Sequence, residues 1–225
     1  MSINIAIDGP AGAGKSTIAK LVAKKKGYIY VDTGAMYRAM ALYLYRQGID
    51  VQAEDAAEQI ARICSRPQIS IRYENGEQIV LLDGENVNGL IRTEEVSRMA
   101  SISSAVPLVR ARLVQLQQQL AAETDVVMDG RDIGTVVLPG ADVKVYLTAS
   151  VEERARRRYQ ENLDKGLACN LEEIKADIAE RDHRDMTRET SPLKQAEDAV
   201  MIDSSDMTIE QVAEAILKLT EETSR

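Results

Sequence analysis

The sequence predicts an α/β fold, a central parallel sheet flanked by helices with a small antiparallel β subdomain inserted into it. Three observations predict it. Short apolar runs at 3–7, 28–31, 125–129, 143–147 and 201–203 alternate with longer stretches of helical periodicity, as expected of strands buried in a parallel sheet. Residues 67–92 break that pattern with period-two alternation and turn dipeptides. Between the first strand and the first helix lies Gly9-Pro10-Ala11-Gly12-Ala13-Gly14-Lys15-Ser16-Thr17, which fits G-x-x-x-x-G-K-[ST], the phosphate-binding loop.

The loop's residue types suit its chemistry. Glycines let the backbone fold around a polyphosphate with its N–H groups inward. Lys15 supplies a point charge for the β- and γ-phosphates, and the Ser16 hydroxyl can ligate Mg²⁺. A helix starting near Gly14 aims its positive end at the same anion. Ile18, Leu21 and Val22 follow at helical spacing, and Gly27 sits where that helix stops. The order strand, loop, helix is the context the motif requires, which sets it apart from a chance match in a Gly-containing turn.

The second strand, 28–31, ends at Asp32-Thr33-Gly34. A long helix is predicted from about Ala35 to Arg46, closed by Gly48, and another from about Glu54 to Ser65, stopped by Pro67. Ile69, Ile71 and Tyr73 then alternate with polar residues. Glu74-Asn75-Gly76-Glu77 signals a hairpin into 78–82, and Asp83-Gly84 a second turn into a short strand near 86–88. This insert, 67–92, reads as a small antiparallel sheet set into the α/β chain and is expected at one edge. Helix resumes near Thr93 and again after Pro107, which suits a first helical turn. Residues 125–129 form an apolar strand ending in an acid, and 143–147 another. Ser150 with Glu153 makes a capping box opening an Arg-rich helix. Asn170 caps a helix to about Arg188, and Thr208 with Gln211 makes a second capping box for a last helix to about Glu221.

The chain has 225 residues and a formal net charge of −8. That balance disfavours a nucleic-acid polymer as partner, and the absence of Trp and Phe disfavours a stacking platform for single strands. No apolar stretch approaches the ~20 residues of a membrane span, and nothing resembles a signal peptide. Cys64 and Cys169 fit no zinc or redox spacing, so reduced thiols in a cytoplasmic protein are expected.

Charge concentrates in three further segments: 32–38, 129–134, and the series Arg154, Arg156, Arg157, Arg158, Arg181, Arg184 and Arg188 interleaved with Asp182 and Asp185. The carboxyl ends of parallel strands share one crevice, so the first two segments are expected to face the loop. Blander readings stand beside these. Asp129 can simply cap the next helix, the arginines of 154–158 can form a solvated face, and the 181–188 run can be a salt-bridged helix surface. His183 reads as a solvated residue; Met36, Met40 and the tyrosines of their helix read as core.

Taken together these segments resemble the bacterial cytidylate (CMP/dCMP) kinases, P-loop NTPases of the nucleoside monophosphate kinase type. The resemblance runs through the loop, Asp-Thr-Gly-Ala-Met-Tyr-Arg at 32–38, the insert, Ile91-Arg92-Thr93-Glu94-Glu95-Val96, Asp-Gly-Arg-Asp-Ile-Gly-Thr at 129–135, and Glu180-Arg181-Asp182 to Asp185 and Arg188. It covers essentially the whole chain. It implies ATP-dependent phosphorylation of CMP and dCMP with Mg²⁺. The loop residues Gly9 to Thr17 would hold ATP, and Ser16 and Asp129 the Mg²⁺. Arg38 and Arg131 would grip the CMP phosphate, with Thr33 where some members carry Ser. Ser101, Arg110, Asp132, Arg181, Asp185 and Arg188 would surround cytosine and pentose. Lys15, Arg131, Arg158 and Arg181 would be the catalytic cations. The resemblance also implies a core of 1–35, 93–149 and 189–225, a monophosphate-binding region of 36–92, and a lid of 150–168 followed by a helix at 171–188, in a monomer. Other kinases of the class, acting on UMP, AMP, shikimate or gluconate, are the nearest rivals. A GTP switch would need N-K-x-D and D-x-x-G, and neither occurs.

Overall fold

A computed structural model describes residues 2–74 and 76–223. Asn75 of the expected hairpin turn lies outside them. The elements are β1 (Asn4–Asp8), α1 (Lys15–Lys26), β2 (Ile29–Asp32), α2 (Thr33–Arg46), α3 (Ala56–Ile63), β3 (Ile69–Glu74), β4 (Glu77–Leu82), β5 (Glu85–Asn86), α4 (Glu94–Ser103), α5 (Pro107–Glu123), β6 (Val126–Gly130), a π-helical turn (Ile133–Val137), β7 (Val143–Thr148), α6 (Val151–Asp164), α7 (Leu171–Thr187), β8 (Val200–Asp203) and α8 (Ile209–Thr223). Two compact units result: Met1–Tyr30 with Thr124–Arg225, and Val31–Glu123.

The first unit is built on a five-stranded sheet of order β2-β6-β1-β7-β8. β1 runs parallel to β6 and to β7, and β7 to β8. β1 is central, and Ile5, Ala6 and Ile7 are fully buried, which is why it reads as a continuous apolar run. Ile5, Ile7, Val127, Val145 and Leu147 pack with Ile18 and Val22 of α1 and Val212 and Ile216 of α8. Register places Ile7 beside Asp129 and Asp8 beside Gly130. The segments that leave β1 and β6 therefore start side by side at the carboxyl ends of the sheet, where ligands of such sheets bind.

The second unit holds α2 to α5 and the insert. The insert is the expected small antiparallel sheet, three-stranded and separate from the main sheet, in the order β3-β4-β5. Its strands are antiparallel, with Ile71 opposite Val80 and Leu82 opposite Glu85. Between Leu82 and Glu85 the two turn residues Asp83 and Gly84 have φ of 51° and 85°, the positive pair that a two-residue primed turn demands. Met36, Met40 and Leu44 of α2 pack against Val80, Leu82, Ile91, Met99, Val109 and Leu113.

Local signals set most boundaries. Gly14 and Gly27 flank α1 with φ of 85° and 72°, and Pro107 opens α5. Some boundaries move for identifiable reasons. α2 starts at Thr33 rather than Ala35, because the Asp32 carboxylate accepts the Ala35 N–H at 2.9 Å and caps the helix there. α3 is shorter than the expected 54–65, and β5 lies at 85–86 rather than 86–88. Helices α4 and α5 group with the insert, whereas the resemblance allots 93–149 to the core; Val96, Met99, Val109 and Leu113 share one apolar cluster with α2.

Candidate functional site

The loop's geometry follows from its glycines. A Cβ at Gly9 would lie 1.9 Å from the Leu147 carbonyl oxygen, so no side chain fits there. Gly14 takes a left-handed conformation and hands the chain to α1, leaving the helix's first N–H groups facing the loop. Lys15, only 6% exposed, donates from Nζ to the Pro10 carbonyl at 2.7 Å. Burial pushes its pKa well below the ordinary lysine value, and Arg131 and Arg181 push the same way against Asp129 and Asp8. Positive charge thus accumulates at the loop, and a polyanion would relieve it.

Two acids end the adjacent strands. Asp129, at the end of β6, accepts the Ser16 hydroxyl at 3.0 Å and the Tyr30 hydroxyl at 2.8 Å. Both of these partners are side-chain hydroxyls rather than helix N–H groups. The Ser16 hydroxyl and Asp129 carboxylate are hard oxygen donors at one point. Among the described residues no cluster of three or more His, Cys, Asp or Glu could hold a metal. A hydroxyl and a carboxylate are donor types that suit a hard cation. Asp8, at the end of β1, accepts the N–H groups of Ile133 and Gly134, each at 2.7 Å. Sequence reasoning passed over Asp8; its only signal is an acid ending an apolar strand directly before the loop.

Helix α7 adds an inward charged row. Arg131 donates from Nε to Asp185 at 2.7 Å. Burial opposes the Asp185 charge, but the Arg131 guanidinium beside it holds the carboxyl below the usual range. Arg188 Nη1 lies 4.0 Å from the other Asp185 oxygen, and its Nε donates to the Ser191 carbonyl at 2.7 Å. Asp182, one turn before Asp185, is buried and accepts the Ala11 N–H at 3.4 Å. The opposite face is the expected salt-bridged surface, with Arg184 on Glu180 at 2.5 Å and His183 exposed. Each reading of the 181–188 run thus describes one face of the helix.

The Arg-rich helix α6 divides the same way. Arg154 is not a solvated surface arginine. It is 4% exposed and donates to the carbonyls of Ala11 and Ala149 at 2.9 and 2.8 Å and to Asp182 at 2.6 Å, bracing the loop. Arg157 pairs with Glu153 at 2.8 Å and with the Ser204 carbonyl at 2.7 Å. Arg156 also pairs with Glu153. Arg158 is exposed, with no hydrogen bond or ion pair among the described residues.

Thr33, Arg38, Ser101 and Arg110 lie in the second unit, and the other expected site residues in the first. Here Asp32 organises the group. Arg92 donates to it at 3.0 Å, and Arg38 Nη1 lies 3.9 Å away. Gln78 of β4 holds the Asp32 main chain from both sides, accepting its N–H at 2.8 Å and donating to its carbonyl at 3.2 Å. Arg110 is buried, stacks its guanidinium 5.4 Å from the Tyr37 ring centroid and donates to the Ser104 carbonyl at 3.2 Å. Ser101 and Thr33 are buried as well. Gln78 was invisible beforehand, since in sequence it is one polar position of an alternating strand.

Comparison with known proteins gives a consistent picture. A family profile described as cytidylate kinase matches residues 5–222. The cytidylate kinase of Caldicellulosiruptor saccharolyticus is 51% identical over 217 residues, covering 96% of this chain and 95% of the relative. That of Bacillus subtilis is 49% identical over 223 residues, covering 99% of this chain and 98% of the relative. Among solved structures, a gluconokinase from Sinorhizobium meliloti superposes with a TM-score of 0.52 at 14% identity, covering 99% of this chain and 94% of that one. At that identity the likeness concerns the fold alone.

Proposed function

The chain belongs to the cytidylate kinase family, and from that premise we propose that it transfers the γ-phosphoryl group of ATP to CMP and dCMP, giving ADP with CDP or dCDP. The observation that carries this most directly is the buried Lys15 at the loop, crowded by the charges of Arg131 and Arg181. Such a site is built for phosphoryl groups, and transfer asks a protein mainly for positioning and charge neutralisation.

In this proposal the main chain of Gly9 to Thr17 and Lys15 bind the ATP phosphates. Ser16 and Asp129 hold Mg²⁺, which when bound neutralises phosphate charge and orients the donor. Arg131, whose Nε is already aligned by Asp185 and whose Nη1 reaches the Gly130 carbonyl at 3.4 Å, binds the CMP phosphate through its guanidinium, as does Arg38. Planar forks suit that task. Thr33, Ser101, Arg110, Asp132, Arg181, Asp185 and Arg188 hold the pentose and cytosine. Cytosine presents an N4 donor beside acceptors, so hydroxyl, carboxylate and guanidinium groups can read it and refuse uracil. Residues 150–168 form the lid. Arg154 is fixed at its base, and Arg158, exposed and unengaged, is the arginine the lid would bring to the transferring group, excluding water.

No helix among the described residues is long and apolar enough to cross a membrane. Both cysteines are free thiols. We place the enzyme in the cytoplasm as a monomer acting on small nucleotides, not on nucleic-acid polymers.

The test is coupled ADP production with ATP, Mg²⁺ and a panel of CMP, dCMP, UMP, AMP and GMP. Strong turnover of CMP and dCMP with weak UMP supports the proposal. Activity centred on UMP or AMP would keep the kinase class and reject the cytosine assignment.

A further inference from the structure

Asp8 has no part in the scheme above. It is 4% exposed and immediately precedes Gly9. Its Oδ1 accepts the Ile133 N–H and its Oδ2 the Gly134 N–H, each at 2.7 Å. Those two residues open the π-helical turn that follows Arg131 and Asp132. The first N–H groups of a helical turn lack partners within it. Asp132 occupies the cap position but makes no side-chain capping bond, so Asp8 caps the turn from a neighbouring strand. The fit is close on both sides. A Cβ at Gly134 would lie 3.4 Å from Asp8 Oδ2 and 3.2 Å from Lys144 Cδ. The turn itself is held by the Leu138 N–H on the Ile133 carbonyl at 2.7 Å, and such turns are frequent at functional sites.

We propose that Asp8 is a positioning residue for phosphoryl transfer: its ionised carboxylate locks the main chain that carries Arg131 and Asp132 to the base of the phosphate loop. The kinetic part of this inference rests on the cytidylate kinase function proposed above. A carboxylate offers an acceptor to each N–H, whereas the neutral acid loses acceptor capacity and leaves one N–H poorly paired. The lock therefore loosens on protonation. Burial raises the Asp8 pKa to about 6 from 3.8, the two N–H bonds oppose that, Asp132 adds to it and Lys15 opposes it. Other charged or titratable groups on the packed elements are Asp129 of β6, beside Ile7 in register, Arg131 ahead of the turn, Tyr146, the β7 neighbour of Asp8 in register, and Lys144, whose ammonium is taken by Asp198 at 2.7 Å. Titratable groups displaced in this way cluster at functional sites.

Two measurements test it. In the unaltered protein, the amide proton resonances of Ile133 and Gly134 should titrate together with a midpoint near pH 6. This readout needs no activity, so it stands even if the kinase assignment fails. In kinetics, Asp8→Asn should lower kcat by roughly 10–100-fold at pH 8, from the loss of a charged hydrogen-bond acceptor, with a much smaller change in KM for ATP. The ratio of unaltered to variant kcat should shrink as pH falls below about 6, where the unaltered enzyme loses the same charge. Ionisation of the nucleotide phosphates cancels in that ratio. Gly134→Ala, whose Cβ would press on Lys144 Cδ at 3.2 Å and touch Asp8 Oδ2 without removing the acid, should also lower kcat more than it raises KM for ATP. Amides that do not titrate between pH 5 and 7.5, or a kcat ratio constant across that range in an active enzyme, would overturn the inference.

Discussion

Asp129 in the first unit and Asp32 in the second each stand at the end of an apolar strand, yet their surroundings differ in kind. Asp129 accepts neutral hydroxyls, Ser16 and Tyr30. Asp32 accepts a main-chain N–H that caps α2 and a guanidinium from Arg92, and its own main chain is clamped by Gln78. Hydroxyls can be given up to a metal ion at little cost, whereas an N-cap and an ion pair are part of the local fold. The same contrast extends to the cations. Lys15 is depressed by burial and by neighbouring arginines, while Arg110 rests on an aromatic ring and a carbonyl. The loop around Lys15 stores charge that a ligand would discharge; the group around Asp32 and Arg110 presents charge already arranged. We expect Lys15 and its loop to govern turnover, and Arg110 and its neighbours in the second unit to act on acceptor affinity rather than donor affinity.

The strongest attempt to break that division is Lys15→Met. It should lower kcat by about 10³-fold or more, as removal of a transition-state charge contact does, without lowering the thermal midpoint, since a buried and disfavoured charge is lost. An active Lys15→Met enzyme would remove the loop from the mechanism. Next in size, Arg110→Met should raise KM for CMP by roughly 10- to 100-fold, the cost of a buried charged contact, and leave KM for ATP nearly unchanged. Equal rises for both substrates would end the assignment of acceptor affinity to the second unit.

Acid titration of stability sharpens the first unit's side. Asp8 has a raised pKa, about 6 against 3.8, so the folded chain binds its proton first. Its contribution to stability therefore increases as pH falls from about 6 to 3.8, by up to about 3 kcal/mol. Asp185 is depressed by Arg131, so its contribution is full above 3.8 and fades as pH falls through its lower folded value. Thermal midpoints measured from pH 7 to 4 should show the Asp8 gain in the unaltered protein and not in Asp8→Asn. Identical slopes would mean the acid is not strained. The smallest effect belongs to Gln78→Ala, a few-fold rise in KM for CMP from loss of neutral hydrogen bonds. A change in KM for ATP instead would place Gln78's influence in the wrong unit.

Much of the molecule was legible because its signals are short-range. The β1–loop–α1 unit is written in consecutive residues, ending at Gly27, and Thr208 and Gln211 exchange both bonds of their capping box at 2.8 and 3.3 Å. The matching box at Ser150 is only half made. Ser150 accepts the Glu153 N–H at 3.1 Å, but the Glu153 carboxylate is claimed by Arg156 and Arg157. That competition already needs side-chain geometry.

The sequence by itself determined the element types, the loop and its cationic chemistry, the insert's hairpins and the family, because glycine spacing, hydrophobic period and capping residues act over a few positions. The tertiary structure alone decided which charges face inward. Arg154 and Asp182 became the loop's braces, Arg158 stayed outside, and Asp8 reached Ile133 and Gly134 across 125 residues of chain. Those pairings depend on β6 lying beside β1 in the sheet, and strand order is set by packing of the whole core rather than by any local pattern.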